Sequence, residues 1–152
     1  MRKLHARDTV AGNKGVAYAK INGNNEELFY AKAISASVAK SKSQIKAIGK
    51  SMTGHKTTGA EGTGTMTLYY LSPLFRNALQ EWKRTGKDLY FDLVITNNDE
   101  ESAAGEQSVL LIDCNLDETI LAQLDGSTED ALEEEAPFTF EDFDILQGFG
   151  EI

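Results

Sequence analysis

Apolar and polar positions alternate in short runs along most of the chain, and in one place the period lengthens to that of a helix. Residues 16–22 and a longer run, 28–40, flank Gly23, Asn24 and Asn25 and read as two strands joined at an Asn/Gly turn. In the second strand Leu28, Tyr30, Ile34, Ala36 and Val38 share one face. The other face holds small residues (Ala31, Ala33, Ser35, Ser37, Ala39), which lets a second sheet or subunit come close. Residues 44–50 alternate again, and residues 65–71 (TMTLYYL) resume a strand. Between them, residues 51–64 (SMTGHKTTGAEGTG) hold four glycines and almost nothing apolar. That composition predicts a long exposed loop, and loops of such length in a compact domain tend to make functional contacts.

Ser72-Pro73 signals a helix start, with an N-cap followed by proline at the first helical position. Leu74, Phe75, Ala78, Leu79 and Trp82 follow at helical spacing, so a helix is predicted over 73–85. Gly86 ends it, and Lys83, Arg84 and Lys87 sit at its negative end. Further on, Leu89, Phe91, Leu93 and Ile95 share one strand face. A polar connection follows at 97–105 (NNDEESAAG), and Leu110, Ile112, Cys114 and Leu116 fall on a common face of a strand over 107–117. Residues 125–135 (DGSTEDALEEE) form an acidic excursion. The last strand, 138–146, changes apolar phase between Phe138/Phe140 and Phe143/Ile145, which predicts a bulge near Glu141 or Asp142. Residues 1–14 show no periodicity and read as a flexible N-terminal arm. The order of elements predicts one domain over 1–152, mainly β: an antiparallel sandwich or half-barrel with one flanking helix.

The charge of the 152 residues sums to −9, but its distribution says more than the sum. Residues 1–87 contain all fifteen basic side chains and five acids, a net +10; residues 88–152 contain nineteen acids and no base, a net −19. A tight duplex binder needs a concentrated positive surface, whereas these lysines and arginines are spaced singly and would compete with the chain's own carboxylates. The expected partner of one half is therefore the other half, within one chain or between copies. Between copies, such a contact joins two different patches and generates rings or filaments. The N-terminal residues lack the apolar run of an export signal, and the apolar stretches fall far short of a membrane span. A soluble chain made in a reducing cytoplasm is expected, since Cys114 stands alone.

Catalytic and ligand chemistry is hard to place. Gly49-Lys50-Ser51 resembles the end of a phosphate loop, but Gln44 stands where that loop needs glycine. The glycines at 59, 62 and 64 miss dinucleotide spacing and read as loop flexibility. His5 and His55 lie in separate polar segments, so neither finds a metal-ligand partner at useful spacing. Neither acidic segment has the offsets of a calcium loop. Cys114 falls in an apolar register and reads as a small buried hydrophobe. The carboxylates are so numerous that no acid–base pair stands out, and the Phe75/Leu79/Trp82 stripe reads as helix-to-sheet packing. No cofactor and no catalytic residue is expected.

The ordered set GTGTMTLYY (62–70), the Ser-Pro-capped helix with Phe75 and Trp82, Thr85-Gly86, FDLVITNND (91–99) and GEQSVLL (105–111) resembles the XkdM-like phage tail tube proteins. These occur in contractile-tailed phages and in phage-like elements such as PBSX, and the resemblance spans nearly the whole chain. It implies a fold similar to other tail tube proteins and to the ring protein of type VI secretion. It also implies stacked hexameric rings, a tube that serves as a DNA conduit, and sheath and completion or baseplate proteins as partners. DNA would be passing cargo and no membrane would be involved. Assembly in the bacterial host cytoplasm and residence in a virion tail or phage-like particle follow from the same resemblance.

In such proteins the arm and the long loop reach neighbouring subunits. Candidate inter-subunit contacts are therefore Arg2, Lys3, Arg7, Lys14, Lys50, His55, Lys56 and Glu61. Asp92, Asp113, Asp117, Glu129, Asp130, Glu133 and Glu134 are the candidate acidic partner or lumen surface, since an acidic lumen would repel passing phosphates. A small-molecule-binding β-barrel is the alternative that the many short strands suggest. A cupin-like or hydrolytic enzyme is disfavoured by the dispersed histidines.

Overall fold

A computed structural model describes residues 4–21, 23–27, 31–70 and 73–150. Its strands are β1 (Gly15–Ile21), β2 (Asn24–Glu27), β3 (Ala31–Ile45), β4 (Gly54–Tyr69), β5 (Phe91–Asn98), β6 (Glu106–Leu116), β7 (Glu133–Phe140) and β8 (Asp142–Gln147), with helix α1 (Leu74–Thr85) between β4 and β5. All strand pairings are antiparallel, in the order β2-β1-β5-β6-β7-β4-β3, and β8 also pairs β6. The basic half of the chain thus supplies both ends of this order and the acidic half its centre. The +10/−19 split along the sequence does not fold into two oppositely charged lobes.

Strand β6 turns the corner between layers. Its first part, to Ile112, pairs β8; Asn115 and Leu116 pair β7 instead. The change happens at Asp113, whose φ of 54° is rare for a side-chain-bearing residue. Its N–H donates to the Asp92 carboxylate across the strand at 3.1 Å, which holds the irregularity in place. An extra residue here shifts the register between Phe91/Cys114 and Leu93/Leu111, so Leu111, not Leu110 or Ile112, enters the core beside Cys114. The single face read over 110–116 is corrected accordingly. At the predicted phase change near Glu141 the chain leaves one strand and starts another, and the Glu141 N–H donates to the Ile112 carbonyl at 3.0 Å.

The core gathers Ala19, Met66, Leu68, Phe75, Phe91, Leu93, Leu111, Cys114, Ala136 and Phe138, all nearly inaccessible. Each large side chain of this set contributes roughly 1.5–3 kcal/mol on leaving water. Phe138 and Phe140 lie over Gly64 and Gly62 of β4: a Cβ at Gly64 would sit 2.4 Å from the Phe138 ring, and one at Gly62 2.4 Å from that of Phe140. These glycines serve close aromatic packing inside a strand, which corrects the reading of loop flexibility. Helix α1 packs Phe75 on Phe91, ring centroids 5.9 Å apart, and ends at Gly86 in the left-handed region with its N–H on the Trp82 carbonyl. The Ser72 cap lies outside the described residues, and Pro73 itself is the N-cap. Trp82 remains half exposed, so the helical stripe runs past the sheet it packs on.

Residues 51–64 are the largest correction. From Gly54 they form β4 and pair with β3 back to Ile45, which makes a long hairpin whose turn is 46–53. The strand read over 44–50 is mostly this turn. A segment with little apolar content can still enter a strand when a neighbouring strand satisfies its backbone, and that neighbour here is the exposed end of β3.

Candidate functional site

Beyond Glu61 on β4 and Val38 on β3, the hairpin has no layer beneath it. Residues 39–45 and 54–61 are exposed on both faces apart from Gly54, which is partly covered. A lone two-stranded ribbon is marginally stable in water. Its outer edge, β3, also offers unpaired backbone groups, because β3 ends the strand order. On this ribbon lie four of the sequence candidates: Lys50 in the turn, His55 opposite Gln44, Lys56 opposite Ser43, and Glu61 opposite Ala39. All four are exposed. At the tip Ile48 is fully exposed and Met52 is 82 % exposed, on either side of Gly49 and Lys50.

Where the ribbon joins the body, an open apolar groove of about 340 Å³ separates β3 from β6 and β8. Ile34, Val38, Val109, Phe140, Phe143 and Ile145 line it. The free edge of β8 borders the groove, so β3 and β8 are two incomplete sheet edges facing the same opening. The space between the layers deeper in is filled by Phe138, Met66 and Leu68, which leaves the clefts at the periphery.

The arm is laid down, not loose, from residue 4 onward. A 3-10 turn, Ala6–Asp8, is closed by the His5 N–H on the Asp8 carboxylate, and Asp8 is buried. The Ser102 hydroxyl donates to the Asp8 carbonyl at 3.0 Å, the Ala11 N–H to the Asp99 carboxylate at 3.0 Å, and the Asn98 N–H to the Lys14 carbonyl. Hydrogen bonds from Ala11 first, and then from Glu101 and Ser102, hold the Asp99 carboxyl below its ordinary range. Arg7 and Lys14 are exposed on this arm, and Arg2 and Lys3 lie outside the described residues. Polarity alone predicted flexibility; the long-range partners Asp99 and Ser102 could not be seen from the arm's own sequence.

The acidic candidates divide. Glu134 is not a surface group: it falls in the inward register of β7 with Ala136, Phe138 and Phe140, and it pairs with Arg76 at 2.6 Å. Arg76 also lies over the Tyr70 ring and donates to the Ile120 carbonyl. Glu133 pairs with Lys32 at 2.6 Å on the surface. Asp92 and Asp113 hold the corner of β6. Asp117, Glu129 and Asp130 are exposed in and around the excursion between β6 and β7. Burial, and then the negative charges of Asp92 and Asp113, push the Cys114 thiol up to about 12, the behaviour of an inert core residue.

Layered antiparallel sheets with a packed interior, a projecting ribbon and edges left open to pairing define a β-structured building block. The chain belongs to the phage tail tube family, whose model, described as phage tail tube protein, matches residues 2–147. It is similar to the phage-like element PBSX protein XkdM of Bacillus subtilis (strain 168), 42 % identical over 142 residues, which are 93 % of each chain. A solved structure of a Bacillus subtilis protein is 39 % identical, covering 94 % of this chain and 99 % of that one with a TM-score of 0.53. A chain of the anti-feeding prophage baseplate, solved with 6-fold symmetry, shares the fold at a TM-score of 0.70 and 14 % identity, over 91 % of this chain and 95 % of that one. The protein is a tail-tube structural subunit with the mainly antiparallel fold and single helix expected of that family. Among the described residues no helix is long and apolar enough to cross a membrane.

Proposed function

We propose that this subunit assembles into six-membered rings that stack into the inner tube of a phage or phage-like tail, through which DNA passes. The observation that carries this reading is the unsupported ribbon beside two free sheet edges, a structure that gains its missing layer only from a neighbour. Pairing these two edges between adjacent copies closes the sheets around a channel and leaves neither of them exposed. The six-fold arrangement rests on the symmetry of the anti-feeding prophage assembly whose fold the chain shares. The sheath and the completion or baseplate proteins are its partners, on assembly in the host cytoplasm.

Within the ring, Arg2, Lys3, Arg7, Lys14, Lys50, His55, Lys56 and Glu61 contact neighbouring subunits. The exposed carboxylates Asp117, Glu129 and Asp130 receive such contacts or face the channel. The role is structural and no reaction is assigned. Sedimentation velocity on the purified chain tests the reading: species in multiples of six subunits are expected at high concentration, receding toward monomer as salt screens the charged contacts. A strict monomer at every concentration and salt would overturn it.

A further inference from the structure

We infer that the 99–104 turn clasps the two ends of the described chain together, so that the arm and the segment after β8 are held or released as one unit, and the seated arm sets how firmly the β8 edge is presented. The clasp stands on contacts within one chain. Its consequence for assembly rests on the tube reading above, in which the β8 edge pairs with a neighbour.

The turn joins β5 to β6, the middle pair of strands between β1 on one side and β8 on the other. On the β1 side the Asn98 N–H donates to the Lys14 carbonyl, next to the Gly15/Asn97 pair, and the Ala11 N–H donates to the Asp99 carboxylate. On the β8 side the Gly150 N–H donates to the Ala104 carbonyl at 2.7 Å, which carries the β6–β8 pairing on past Ser108 and Gln147. Ser102 links the two sides. Its hydroxyl donates to the Asp8 carbonyl at 3.0 Å and accepts from the Ala104 N–H at 3.1 Å, while its own N–H donates to the Asp99 carbonyl at 3.0 Å. A continuous set of hydrogen bonds therefore runs from Gly150 through Ala104 and Ser102 to Asp8, Asp99 and Ala11.

Burial sets this turn apart from an ordinary surface connection. Four polar or charged side chains are buried among the described residues, and three of them, Asp8, Asp99 and Ser102, sit here. Residues 4–7, 9 and 11–14 of the arm are exposed, so the arm is held by polar contacts and puts little apolar surface out of water. If either end lifts, groups on the turn lose partners in a place where water does not replace them, which weakens the hold on the other end. Such coupling is reciprocal. The segment 148–150 starts where β8 stops, and β8 is exposed along its length and pairs β6 alone among the described strands. What pins that segment steadies the edge.

Hydrogen exchange on the full chain, dilute and monomeric, tests the clasp. Asp99→Ala removes the acceptor of the Ala11 N–H, yet exchange should also rise several-fold at the Gly150 amide, which donates to Ala104. Gly150→Pro removes the N–H at the other end, and exchange at the Ala11 amide should rise in turn. Ser102→Ala should raise both. The Leu93 and Met66 amides of the core strands should stay protected in all three, which separates opening of the clasp from unfolding. A rise confined to the end that carries the substitution would overturn the coupling. Sedimentation velocity then reads the edge: Ser102→Ala and Gly150→Pro should need several-fold more protein than the unaltered chain to form oligomers. Coupled exchange with unchanged assembly would overturn the role given to the β8 edge. An unaltered chain that never assembles would overturn the tube reading and leave the clasp standing.

Discussion

Arg76 and Glu134 show how one buried charge dictates its surroundings. Glu134 occupies an inward position on β7, where an unpaired carboxylate would be costly, and Arg76 reaches it from α1 at 2.6 Å. Removing one partner should therefore destabilise more than removing both. Arg76→Ala is expected to cost about 3 kcal/mol in urea unfolding, while Arg76→Met combined with Glu134→Leu recovers most of that loss. Equal losses from the single and the double variant would contradict the pairing. Asp99 makes a pH prediction. Its carboxyl is held below the ordinary 3.8 by the N–H groups of Ala11, Glu101 and Ser102, so its contribution is present above that value and disappears as pH falls through the lower, folded value. Hydrogen exchange at the Ala11 amide should show protection that is lost in acid, and lost at neutral pH in Asp99→Ala. Unchanged protection in that variant would mean the arm is held by something else. In the sequence Asp99 was one acid among nineteen in its half of the chain, and its role depends on a partner 88 residues away.

At the scale of elements, the strands with a strong apolar period were legible. Leu89, Phe91, Leu93 and Ile95 share the face expected of them, and α1 starts and stops within a residue of the span its capping signals indicate. Two features were not legible, for different physical reasons. The bulge at Asp113 leaves no mark in the apolar pattern, because Leu110, Leu111 and Ile112 are all apolar and only tertiary pairing chooses among them. The ribbon hides because neither of its faces is buried, so no alternation was selected over 54–61, and its glycines at 62 and 64 answer to aromatic rings on another strand. Since the ribbon's exposed end lends the core nothing, shortening it should leave the fold intact. Replacing residues 42–57 by Asn-Gly is expected to keep the thermal midpoint within a few degrees while abolishing assembly into rings or tubes. A variant that unfolds, or one that assembles normally, would contradict the role assigned to the ribbon.

For the molecule as a whole, the charge split along the sequence became something other than two lobes. Folding interleaves the halves, pairs Glu133 with Lys32 and Glu134 with Arg76, and brings Arg76, Lys83 and Arg84 of α1 beside Leu121 in the acidic stretch that follows β6. The exposed ribbon extends from one end of β3 and β4, so the subunit is polar along its strands and stacks in one direction. Electron cryomicroscopy of the assembled protein tests that central claim most directly. The account predicts six-fold annuli stacked with a single polarity, the sheets of neighbouring copies joined around a channel, and the 46–53 turn of each subunit in contact with another copy. Rings stacked face to face, or particles in which the ribbon projects into solvent without touching another copy, would contradict it.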